Sequence, residues 1–122
     1  MTKLFAIAIP ILKGKTEQWK KFTDEVNTRY KKEFNESRKK LGVQERTFLQ
    51  STPSMGDLVL VTLEGENPES AFQKFGQGTD EFTKWFTGQV KEIHGFDLSQ
   101  KPDFSMPKLV NESEPLEEHA HM

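Results

Sequence analysis

Val43-Gln-Glu-Arg-Thr-Phe-Leu-Gln50, Ser51-Thr-Pro-Ser-Met-Gly56 and Asp57-Leu-Val-Leu-Val-Thr-Leu63 read in succession as strand, turn and strand. Both flanks are rich in β-branched and apolar side chains, while the segment between them is dense in residues that favour a reversal. An antiparallel hairpin is therefore expected. Because side chains alternate along a strand, Glu45, Thr47 and Leu49 share one face and Gln44, Arg46 and Phe48 the other, whereas Leu58 to Val61 is apolar on both. That difference makes the second strand the more central of the two.

Toward the N-terminus, Leu4 to Ile9 is an apolar run without helical periodicity, ended by Pro10, and reads as a buried strand. Gly14 breaks the chain and Thr16 is the candidate helix cap, although Trp19 stands where a capping box wants Glu or Gln. Trp19, Phe22, Val26, Tyr30, Phe34 and Leu41 then recur as one stripe, opposite a face filled by lysines and acids. The expectation is one long amphipathic helix closed by Gly42; about 25 residues at 1.5 Å each give roughly 37 Å, enough to overhang a small sheet.

Beyond the hairpin, Asn67-Pro68-Glu69 has the order of a cap, a first-turn proline and a first-turn acid, and a short helix follows as far as Gly76 and Gly78. Asp80 is placed to cap the next helix, on which Phe82, Trp85, Phe86, Val90 and Ile93 form an apolar stripe with His94 at its C-terminal end. After Gly95, Phe96-Asp97-Leu98 is a candidate for a brief last strand. Pro102 and Pro107 argue against a central strand, so 99–110 is expected as an extended arm laid over the domain or a partner. Residues 111–122 are polar and acidic, without apolar periodicity, and are expected as a mobile tail.

A chain of 122 residues makes one domain, here 1–110, with a core of its own. The net charge of -2 comes from interleaved lysines and acids, which leaves no basic footprint for nucleic acid. Without cysteine there are no disulfides, thiolate metal sites or cysteine nucleophiles. Lysine returns at Lys13 and Lys15, too early for a signal-peptide core or a membrane span, so the expected location is the cytoplasm.

The element order, strand, helix, strand, strand, helix, helix and weak strand, is that of an α+β ferredoxin-like sandwich, with helices on one face of an antiparallel sheet. The other face needs a cover, and a second copy of the chain supplies one, which predicts a homodimer. With the lysine-glycine-lysine turn before the first helix, the hairpin Glu45–Val61, Trp85-Phe86 and His94-Gly95-Phe96-Asp97-Leu98, the chain resembles the dimeric α+β-barrel superfamily over roughly residues 3–110. Its members look like antibiotic-biosynthesis monooxygenases, muconolactone isomerases and stress-responsive barrel proteins. The resemblance implies a ligand held between sheet and helices and, in several members, chemistry without metal or organic cofactor. It transfers no catalytic residue, since one fold hosts many chemistries.

Candidate site residues follow from position. His94, beside the aromatic stripe, has the chemistry of a general base, a metal ligand or a haem ligand; the plainer role is a helix-terminal imidazole bonding free carbonyls. No second histidine precedes the tail, where His119 and His121 lie, so no metal site and no cofactor is assigned. Glu45 and Arg46 must point to opposite faces. With Glu45 toward the helices, it becomes a proton acceptor or a partner for His94. Trp19, Phe48, Phe82, Trp85 and Phe86 are the candidate walls of an apolar binding site, against the alternative that they are plain core. Three functions stand open: a homodimeric protein binding a small, largely apolar molecule; a cofactor-independent monooxygenase or isomerase with His94 and Glu45 handling protons; and a structural or interaction protein with a filled core.

Overall fold

The computed structural model describes residues 2–116. The elements are β1 (Lys3–Pro10), α1 (Thr16–Asn27), α2 (Lys31–Lys40), β2 (Val43–Thr52), β3 (Gly56–Gly65), α3 (Pro68–Gln73) and α4 (Glu81–His94). The three strands form one antiparallel sheet in the order β1-β3-β2, so the second strand of the hairpin is the central one. Rows across the sheet are set by register: Phe5, Leu63 and Glu45 on one line, Ile7, Val61 and Thr47 on the next. At the tip of the hairpin Thr52 Oγ1 accepts from the Met55 amide and donates to the Gly56 carbonyl, which closes the reversal.

One face of this sheet is buried under the helices. Phe5, Ile7 and Ile9 of β1 and Val59, Val61 and Leu63 of β3 meet Phe22, Phe72, Phe86 and Ile93, with Leu63 and Ile93 fully enclosed. Alternate residues of β1 and β3 point the other way. Leu4 and Phe48 are 63% and 54% exposed there, and Ala8, Leu60 and Phe48 form one cross-strand row on that outer face.

The single long helix expected over 16–41 is in fact two. At Thr28 the backbone leaves the helical region (φ −126°, ψ −84°), the Thr28 hydroxyl bonds the Asp24 carbonyl at 2.8 Å, and the Tyr30 amide reaches the Glu25 carbonyl at 2.9 Å. The break lets Tyr30 stack on Trp85, ring centroids 4.2 Å apart, and lets α2 pack along β2. Tertiary packing overrides a continuous apolar stripe here. The start of α1 also differs, because Thr16 is its first helical residue and makes no cap bond. Its hydroxyl donates instead to Asp57 at the start of β3, 2.5 Å away. That bond, with one from Ser51, holds the Asp57 carboxyl below its usual range.

Asp80 does cap α4, accepting from the Thr83 amide and hydroxyl, which lowers its pKa. At the other end Gly95 closes the helix in the left-handed region at φ +84°, where a side chain is strained. The Leu12 amide takes the Ile93 carbonyl at 2.9 Å, so the end of α4 is stitched to the chain leaving β1.

Residues 96–98 form no strand. Asp97 accepts from the amide and hydroxyl of Ser99, and the Gln100 amide returns to the Asp97 carbonyl, which makes a turn where an extended edge was expected. Leu98 is buried at the same point against Gly76; a Cβ on Gly76 would lie 2.4 Å from the Leu98 carbonyl carbon. The arm 99–110 has no regular secondary structure and lies beside its own domain, with Phe104 edge-on to Phe96 at 5.6 Å and Met106 against the core. Of the tail, 111–116 is exposed and irregular, and His119 and His121 lie outside the described residues.

Candidate functional site

Between the buried face of the sheet and the helices lies a cavity of about 220 Å³. Ile9, Val59 and Val61 form its apolar floor, continued on β2 by Glu45 and Thr47. Trp19, Phe22, Thr23, Val26 and Asn27 of α1, Phe34 of α2 and Phe86, Val90 and His94 of α4 close over it. Asn27 and Thr47 are exposed, so the mouth opens between the end of α1 and β2. The strand period explains the polar strip on this floor: Glu45 and Thr47, two positions apart, must share the face that β1 and β3 fill with Phe, Ile, Val and Leu.

Glu45 faces the helices and is paired there with Arg38 of α2. Arg38 Nε donates to Glu45 Oε1 at 2.6 Å, the two side chains are only 5% and 8% exposed, and the Thr47 hydroxyl donates to Glu45 Oε2 at 3.0 Å. The guanidinium is sandwiched by aromatic faces, 3.7 Å from the Phe75 ring centroid, 4.7 Å from Phe34 and 4.9 Å from Phe86. Those rings line the cavity while Arg38 stands behind them. Nη1 bonds Ser37; Nη2 is buried without a hydrogen-bond partner among the described residues. Sequence reading passed over Arg38, although it stands four residues after Phe34 and three before Leu41, on the apolar stripe itself. A cation at that spacing is the signal for a buried counter-charge.

His94 lines the same cavity, but its bond goes elsewhere. Nδ1 lies 2.8 Å from the Pro10 carbonyl oxygen, which can only accept, so Nδ1 carries the proton and Nε2 the lone pair. Burial lowers the imidazole pKa below its ordinary 6.5, partly opposed by that hydrogen bond. The proposed dyad is therefore not assembled: Glu45 and His94 share a cavity, each held by a different partner, and His94 moves down in pKa where a carboxylate neighbour would have moved it up.

This shift has a consequence for stability. In the unfolded chain His94 gains its proton as pH falls through about 6.5, whereas the folded chain resists it to a lower pH, so the unfolded state binds more protons within that window. The contribution from neutral His94 is complete above pH 6.5 and lost as pH falls through the folded pKa. Urea midpoints measured between pH 7.5 and 5 should decline less for His94→Gln than for the native chain; parallel declines would place the imidazole in water.

Of the aromatic candidates, Trp19 and Phe86 line the cavity, and three do not. Phe82 is core behind it, against Tyr30 and Phe86. Trp85 is half-buried and spends its faces on Tyr30 and Phe22. Phe48 is on the outer face of the sheet, where with Leu60, Ala8, Pro10 and the arm residues Phe104 and Pro107 it lines a wider apolar depression of about 1120 Å³. Among the described residues no three His, Cys, Asp or Glu side chains gather as a metal site, and no helix is long and apolar enough to cross a membrane. Comparison with models of protein families, with curated proteins and with solved structures finds no match to this chain.

Proposed function

We propose that this chain binds a small, largely apolar molecule between its sheet and its helices, as a homodimer of ferredoxin-like protomers akin to the dimeric α+β-barrel superfamily. The observation that carries the reading is the cavity itself, an aromatic and aliphatic chamber with Glu45, Thr47 and His94 at fixed places on its wall. Binding sites have this composition, a mostly apolar lining with few convergent polar groups. Its size sets the ligand: a dry cavity of about 150 Å³ takes up benzene, so about 220 Å³ suits one ring or two small fused rings. The strand order β1-β3-β2 with helices over one face fits a ferredoxin-like sheet whose remaining strand position lies beside β1.

The dimer rests on the outer face. Ala8, Leu60 and Phe48 give it an apolar row, and one cation and one anion, Arg46 and Glu64, 3.2 Å apart, separate that row from Leu4 at the end of the sheet. Such a face is self-complementary under a two-fold axis.

Trp19 lines the cavity and Trp85 does not, which supplies the test. In a Trp85→Phe chain, titration with single-ring and two-ring aromatics should change the fluorescence of Trp19 saturably, and light scattering at micromolar concentration should give twice the chain mass. A fluorescence unchanged by every compound overturns the binding reading, and a monomer mass overturns the dimer. One observation favours an enzyme as the second reading: the Pro10 carbonyl fixes the tautomer of His94 so that Nε2 is the free base. Exchange of an acidic ligand proton for deuterium, lost in His94→Gln while binding is kept, would distinguish catalysis from binding.

A further inference from the structure

Three polar groups meet the cavity, Thr47 beside its mouth and Glu45 and His94 farther in, and none of them has a free hydrogen to give. The Thr47 hydroxyl gives its hydrogen to Glu45 Oε2, leaving its oxygen as an acceptor. Glu45 has no hydrogen to give and retains acceptor capacity beyond Arg38 and Thr47. His94 has committed Nδ1–H to Pro10, leaving Nε2 as an acceptor. The donors that remain are on α1, where Thr23 and Asn27 toward the mouth offer both donor and acceptor and Trp19 offers its indole N–H. The nearest cation, Arg38, does not reverse this polarity, because it is matched by Glu45 and screened from the cavity by the rings of Phe34, Phe75 and Phe86.

We infer that the cavity selects a neutral aromatic compound of one or two fused rings bearing an O–H or N–H donor, and rejects carboxylates and donor-free isosteres. The inference rests on the binding reading above and narrows it to a ligand class. An apolar ring satisfies the floor and the aromatic roof; a single donor satisfies an acceptor that is otherwise dry. An analogue without the donor leaves that buried acceptor unpaired, which weakens binding by roughly tenfold or more. A carboxylate would bring its charge against Glu45, where the neighbouring polar groups offer lone pairs and not hydrogens.

Calorimetric titration of the full chain with indole, 1-methylindole, phenol, toluene and benzoate tests this. Indole and phenol are expected to bind at least about tenfold more tightly than 1-methylindole and toluene, with benzoate weakest. In ¹⁵N spectra, indole should shift His94 Nε2 while leaving Nδ1 unmoved if the imidazole is the acceptor used; a shift confined to Thr47 names the strip on β2 instead, and both outcomes support the proposal. Equal affinities for indole and 1-methylindole would overturn the donor requirement while leaving the binding site intact. Benzoate binding most tightly would overturn it as well, by making Arg38 the anchor. No heat from any compound would remove the binding site itself and the inference with it. Thr23→Phe, which fills the mouth from a half-buried position, should abolish all of these signals with the fold retained; signals that persist in it would put the compounds outside the cavity and overturn the assignment.

Discussion

Truncating Arg38 to alanine is expected to destabilise the chain by about 3–5 kcal/mol, the usual penalty for leaving a buried charge without its partner. The pair is almost wholly enclosed, its contact is 2.6 Å, and among the described residues the only other bond to the Glu45 carboxylate comes from Thr47. Three aromatic faces also lose the guanidinium that lies on them. Domains of this size are stable by only about 5–15 kcal/mol, so much of the fold's margin is at stake. Replacing both partners by apolar groups, Arg38→Met with Glu45→Leu, should recover most of the loss, because no charge is then stranded. Urea unfolding of the two variants measures the difference. A loss under about 1 kcal/mol for Arg38→Ala would mean that water reaches Glu45 and that the pair is a surface bridge of ordinary weakness.

The same pair marks how far sequence carries. That Glu45 and Arg46 face opposite sides of β2 was legible from the strand period, while which of the two meets the helices was not, and the pairing with Arg38 decides it. The centrality of β3 was legible for the same reason, from a run apolar on both sides. Arg38 was not, because a stripe read by its apolar members treats the cation between them as belonging to the wet face. Periodicity also could not place the break at Thr28, which follows from Tyr30 finding Trp85 across the fold. The strand expected at 96–98 failed on local chemistry: Asp97 and Ser99 bond each other into a turn, a habit of such residues that competes with a ladder. His94 and Glu45 both line one cavity, yet the carbonyl that claims His94 belongs to Pro10, remote in sequence, and nothing in the residues around His94 announces it.

Phe86→Ala should cost about 3–5 kcal/mol, the range for deleting a large buried aromatic, and more than Trp85→Ala beside it. The apolar stripe of α4 alone treats the two as equivalent, and packing separates them. Phe86 is buried, with its ring 5.3 Å from Phe22, 5.7 Å from Phe82 and 6.4 Å from Phe75, and it forms part of the bed on which Arg38 lies. Trp85 is half-buried, and the loss there should be roughly half as large, in proportion to the apolar area it takes out of water. Lys84, exposed on the opposite side of α4, should accept alanine within roughly 0.5 kcal/mol. The ranking Phe86, Trp85, Lys84 is the measurable content, and unfolding midpoints of the three variants supply it. Trp85 proving as costly as Phe86 would mean that its outer edge is covered in solution, a result the single chain does not produce and a partner seated against α4 would.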